Sequence, residues 1–108
     1  MFNEESQLIR RQQKFLQEVE DSIREANRAI IGARIPNLNR QSFVAFATFV
    51  AHLRADYLAA ALEFQNGEGN DGAAALKALR GQRKAFEETR DAFAALERAI
   101  ERGYVDMD

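Results

Sequence analysis

The chain has 108 residues, 30% of them charged, with 15 basic side chains against 17 acidic ones and no cysteine. That length accommodates one domain with a modest core. The near-balance of charge gives no general pull toward nucleic acid or membrane, and the absence of thiols excludes disulfides, thiolate metal sites and cysteine nucleophiles. The start, MFNEESQLIRRQQ, is too polar for a signal or transit peptide. With the lack of cysteine, this predicts a cytoplasmic protein.

The first predicted helix runs over about residues 4–31. Asn3 is a candidate N-cap, and Glu4 and Glu5 complement the positive end of the helix dipole. Leu8, Phe15, Val19, Ile23, Ala26 and Ile30 fall on one stripe, widened by Ile9 and Leu16, while charged residues occupy the opposite face. Gly32 is the expected terminator, followed by the linker GARIPNL, in which Pro36 forbids a continuous helix.

The second predicted helix, over about residues 40–66, opens on Asn39 as N-cap, with Leu38 and Phe43 placed as a hydrophobic staple. It differs from the first in its breadth of apolar surface. Thr48, His52, Asp56 and Glu63 form one narrow polar stripe, and nearly all the rest is apolar over an arc of roughly 240°. An arc of that width is expected to meet more than one partner. His52, Arg54 and Asp56 interrupt the most apolar run, so no membrane span is expected. The segment 66-NGEGNDG-72 ends this helix, and Asp71 is a cap candidate for the next.

The third predicted helix covers about residues 73–102. Leu79, Phe86, Phe93 and Ile100 recur every seven residues, each preceded by an alanine: Ala78, Ala85, Ala92 and Ala99. A large column beside a small one predicts a closely approached helix seam with coiled-coil-like packing. Gly103 supplies the C′ position, and the acidic tail VDMD is expected to be loose.

Three helices with short connections predict a single all-α domain over residues 1–108. Its expected form is an antiparallel up-down-up three-helix bundle. The spare apolar surface of the central helix, centred on Phe46, Phe49, Leu53 and Tyr57, predicts association into a homodimer. Arg54 stands inside the apolar arc, so its guanidinium is expected to pair across a helix or subunit contact. Glu18, Asp21, Glu87, Glu88 and Asp91 are the carboxylates at that level. A second use for Arg54 is recognition of a partner's carboxylate or phosphate.

His52 with Asp56 and Thr48 makes a small polar column, but one histidine and one carboxylate lack the convergent groups of a catalytic or metal site. No phosphate loop, nucleophile elbow or zinc spacing occurs. The expectation is therefore no enzyme, no cofactor and no metal. Arg10, Arg11 and Lys14 on the first helix, with Lys77, Arg80, Arg83 and Lys84 on the third, would form one basic band at one end of such a bundle. That band offers an anion- or nucleic-acid-binding alternative, whereas solvated helix faces with Arg83–Glu87 and Lys84–Glu88 pairs are the simpler account. The leading functional expectation is a non-catalytic protein–protein interaction module of adaptor, chaperone or inhibitor type. Its expected partners are a second copy of the chain and another protein.

Overall fold

The computed structural model describes residues 3–67 and 71–107; the centre of the second connection, 68–70, lies outside them. The described residues are all-α, with helix α1 at Glu4–Arg34, α2 at Arg40–Gln65 and α3 at Gly72–Glu101. All three predicted N-caps are in place. Asn3 Oδ1 accepts from the Ser6 amide at 2.7 Å, and Asp71 Oδ1 accepts from the Ala73 and Ala74 amides. Asn39 forms a reciprocal capping box with Ser42: its Oδ1 accepts from the Ser42 amide at 2.8 Å, and Ser42 Oγ accepts from the Asn39 amide at 3.0 Å.

The cores of α2 and α3 explain their pairing. The heptad column of α3 faces α2, as its spacing predicts. Phe93 packs on Phe43 and Phe46, with ring centroids 4.9 and 5.4 Å apart, and Phe86 stacks on Tyr57 at 6.0 Å. Ascending numbers in α2 meet descending numbers in α3, so the two form an antiparallel hairpin. Val50 and Phe86 are buried within it.

Helix α1 stands apart. No Cα atom of α1 lies within 8 Å of one in α2 or α3 among the described residues. The chain measures 79 × 36 × 17 Å and its radius of gyration is 22.8 Å, against about 13 Å for a compact domain of this length. A helix of 31 residues is only about 46 Å long. A long dimension of 79 Å therefore requires α1 to project beyond the hairpin rather than lie along it. The up-down-up bundle is not formed within one chain.

The joint that holds α1 is local. The end of α3 is a Schellman turn: Gly103 takes φ 76°, its amide donates to the Ile100 carbonyl at 3.0 Å, and the Tyr104 amide donates to the Ala99 carbonyl at 2.8 Å. This turn sends residues 103–106 across α1. Arg28 Nη1 donates to the Gly103 carbonyl at 3.1 Å, and Arg28 Nη2 lies 3.5 Å from an Asp106 carboxylate oxygen. Val105, only 4% exposed, is the best-buried apolar residue of the described chain. The tail expected to be loose is thus an ordered strap: Val105 is buried, and Gly103 and Asp106 hold the Arg28 side chain of α1.

Gly32 does not end α1, which continues to Arg34 with Ile35 as its cap. A Cβ at Gly32 would stand 3.5 Å from the Tyr104 carbonyl, so this glycine sits where the strap passes close to the helix.

Candidate functional site

The strap meets α1 on Arg24, Asn27, Arg28 and Gly32. At 100° per residue Arg24, Arg28 and Gly32 lie on the side away from the apolar stripe, and Asn27 borders it. Anchoring mainly by the polar back leaves the stripe open to water, with only Ile23 bordering the joint. Leu8, Ile9, Phe15, Leu16, Val19, Ile23 and Ile30 are each between 36% and 63% exposed. Phe15, Val19, Ile23 and Ala26 line a shallow apolar depression edged by Glu18 and Ser22. The sequence pattern identifies this stripe but assigns it to the chain's own core; the structure turns it outward.

A second apolar surface lies on the hairpin. Ala47, Val50, Ala51 and Arg54 of α2, with Arg90, Phe93, Ala94 and Glu97 of α3, line a groove of about 340 Å³ between the two helices. Val44 and Leu58 stand seven residues either side of Ala51, and Leu62 four beyond Leu58, so all share the groove's side of α2. Each of these three is more than half exposed.

Of the residues expected to form the spare surface of α2, only Phe49 is exposed; Phe46, Leu53 and Tyr57 are half-buried. The rings of Phe46 and Tyr57 are occupied by α3. The free apolar strip is instead Val44, Ala51, Leu58 and Leu62, with half-buried Ala47 at its edge, nearly half a turn around the helix. The seven-residue spacing of Val44, Ala51 and Leu58 was the available signal, masked by the larger phenylalanines beside it.

Arg54 pairs with no carboxylate among the described residues. Its guanidinium carbon lies 5.2 Å from the centroid of the Phe86 ring, and that of Arg90 lies 5.3 Å from the same centroid. Arg90 also meets Asp91 at 3.1 Å on the surface. The two cations cover Phe86 and rim the groove, each by a cation–π contact worth roughly 0.5–1 kcal/mol when exposed.

Comparison with known proteins adds nothing to this geometry. No family model, curated protein or solved structure matches the chain.

The basic residues are not brought together. Arg10, Arg11 and Lys14 are on the projecting half of α1, whereas Lys77, Arg80, Arg83 and Lys84 begin α3 at the hairpin's far end. Arg83 pairs with Glu87 at 3.8 Å, as its i,i+4 spacing predicts. The expected band required a closed bundle, and projection of α1 places its two halves at opposite ends of the molecule.

His52 and Asp56 are exposed, and the Thr48 hydroxyl donates to the Val44 carbonyl of its own helix at 2.9 Å. No group of three or more histidine or acidic side chains placed to hold a metal occurs among the described residues.

At the joint, an open cleft of about 620 Å³ is lined by Glu20, Ile23, Arg24, Glu101, Arg102 and Tyr104. Hydrogen bonding to Asn27, and then to Arg102, holds the Tyr104 phenol below the ordinary tyrosine pKa.

By length and composition α2 is apolar enough to cross a membrane. Every 18-residue window of its 26 residues, however, contains His52, Arg54 and Asp56. Arg54 and Asp56 would each cost about 2.5–3.5 kcal/mol near a bilayer centre.

Proposed function

We propose that this protein is a non-catalytic interaction module, of adaptor, chaperone or inhibitor type, that self-associates and works through apolar helical faces. The observation that carries this reading is the α1 stripe: a 31-residue helix presenting seven large apolar side chains to water. Monomeric proteins rarely leave a contiguous apolar surface of that length uncovered, and such surfaces mark protein contacts. In this reading α2 works in water against protein rather than in a bilayer, because its apolar side is broken by Arg54 and Asp56. Three-helix packing of the up-down-up kind is completed only on association, with α1 as the third helix.

Sedimentation equilibrium at micromolar concentration tests the reading. The expected mass is twice the chain's 12.2 kDa. Phe15→Glu with Ile23→Glu should reduce it to one chain while circular dichroism keeps the helical content. A wild-type mass of one chain at every concentration would remove the basis for self-association.

A further inference from the structure

Resting on that reading, we propose that the groove between α2 and α3 receives α1 of a second copy of this chain, in a reciprocal exchange of arms. Each copy then presents one arm and one groove, and a twofold pairing fills both at once.

Four observations select this occupant. The first is area. The chain exposes 8760 Å², whereas a compact monomer of 12.2 kDa exposes about 6,100 Å². The excess, on the order of 2,700 Å² per chain, exceeds the roughly 800 Å² per partner of a standard interface and suits an obligate dimer. The second is length. The arm is about 46 Å long, and the two groove helices are about 39 and 45 Å.

The third is shape. The groove is lined by Ala47, Ala51 and Ala94 beside buried Val50, small side chains that admit the backbone of another helix closely, and Val44, Leu58 and Leu62 extend it along α2. The fourth is charge. The groove carries Arg54 and Arg90 against one acid, Glu97, and Arg54 has no carboxylate partner among the described residues. The arm's apolar depression is edged by Glu18. Arg54 stands 14 residues beyond the start of α2, and Glu18 stands 16 residues before the end of α1. In the antiparallel register set by the short linker, the two lie within about one helical turn of each other. An exchange reproduces that register between chains, with the Pro36 linker held open.

The absence of cysteine makes disulfide trapping clean. Ser22→Cys places a thiol at the edge of the arm's apolar depression, and Ala51→Cys places one in the groove. The two variants are mixed, with a mass tag on one, unfolded and refolded together, and mildly oxidised. The expected product is a covalent heterodimer joining Ser22→Cys of one chain to Ala51→Cys of the other, with little bonding of like to like. Ala92→Cys, on the other edge of α3, should not bond to Ser22→Cys.

Each other outcome overturns the exchange. Bonding only within one chain of the double variant Ser22→Cys/Ala51→Cys means that α1 folds back on its own hairpin. Bonding of Ser22→Cys to itself means that arms pair with arms, and bonding to Ala92→Cys means that the other face is used. A dimer by sedimentation with no bond between arm and groove refutes the exchange but keeps self-association. A monomer by sedimentation removes both.

Discussion

Phe86 is the residue whose loss should be felt most in the hairpin. It is 8% exposed, stacked on Tyr57 at 6.0 Å and covered by the guanidinium groups of Arg54 and Arg90. Phe86→Ala removes a buried ring from a small core, a change that costs about 3–5 kcal/mol. Phe86→Leu keeps most of the apolar volume and deletes the ring. It isolates the stacking, worth about 0.5–1.5 kcal/mol, and two cation–π contacts of roughly 0.5–1 kcal/mol each. Arg54→Met should then cost no more than about 1 kcal/mol, since the guanidinium is exposed and unburdened by a buried countercharge. A double-mutant cycle should show most of that loss disappearing in the Phe86→Leu background. The assay is urea unfolding followed by circular dichroism, at one fixed chain concentration because association shifts apparent stability. A Phe86→Ala loss below about 1 kcal/mol would show that the ring does not hold the hairpin. A loss of several kcal/mol for Arg54→Met would restore the buried ion pair that the sequence suggests.

Three further expectations follow from the joint and from the back of α3. Gly103→Ala forces a Cβ into a backbone with φ 76°, so it should cost about 1 kcal/mol; protease cleavage near residues 103–106 should rise with it. Ala92→Leu should change stability by less than about 0.5 kcal/mol, because Ala92 is exposed rather than seated in a helix seam; a loss of 1–3 kcal/mol, as for overpacking, would place a helix against it. Phenolate absorbance should show Tyr104 ionising below the usual value of about 10, a component abolished by Tyr104→Phe and moved back by Asn27→Ala. Since the folded pKa is the lower one, this ionisation stabilises the joint only at alkaline pH. The contribution is full above the unfolded pKa and lost as pH falls through the folded one.

The local elements were legible because their causes are local. Asn3, Asn39 and Asp71 cap helices through their own side chains, and the column Leu79, Phe86, Phe93 and Ile100 needs only one neighbouring helix to face. What the pattern could not supply is which helix meets which. The stripe of α1 predicts that something covers it, but apolar periodicity carries no address, and the same pattern serves a partner in the chain or in a copy. Gly32 carries the letter of a helix terminator but takes no left-handed turn, and a Cβ there would make only ordinary contact with the Tyr104 carbonyl at 3.5 Å, so the position does not demand glycine. The spacing of the alanine column predicts a helix seam. Ala78, Ala85 and Ala92 nevertheless face water, since α2 meets the larger column beside them. Within the candidate site, the stripe was visible and its orientation was not. That orientation is held by Arg28 on Gly103 and Asp106, separated by most of the chain.

That separation has a consequence for the order of folding. The bond from Arg28 to Gly103 joins positions 75 residues apart. Closing so long a loop from an unfolded chain costs on the order of 4 kcal/mol in entropy, more than one hydrogen bond returns. Once Phe43 and Phe46 have met Phe93, the remaining gap is spanned by two short stretches, and closure becomes cheaper by roughly 1 kcal/mol. Residues 103–106 also follow α1 in synthesis by about 70 positions, so the helix made first is the one seated last. A nascent chain carries the apolar stripe of α1 in water before and after the strap closes on its back, and slow hairpin formation, which delays any surface able to cover that stripe, is the step at which misassembly should be sought.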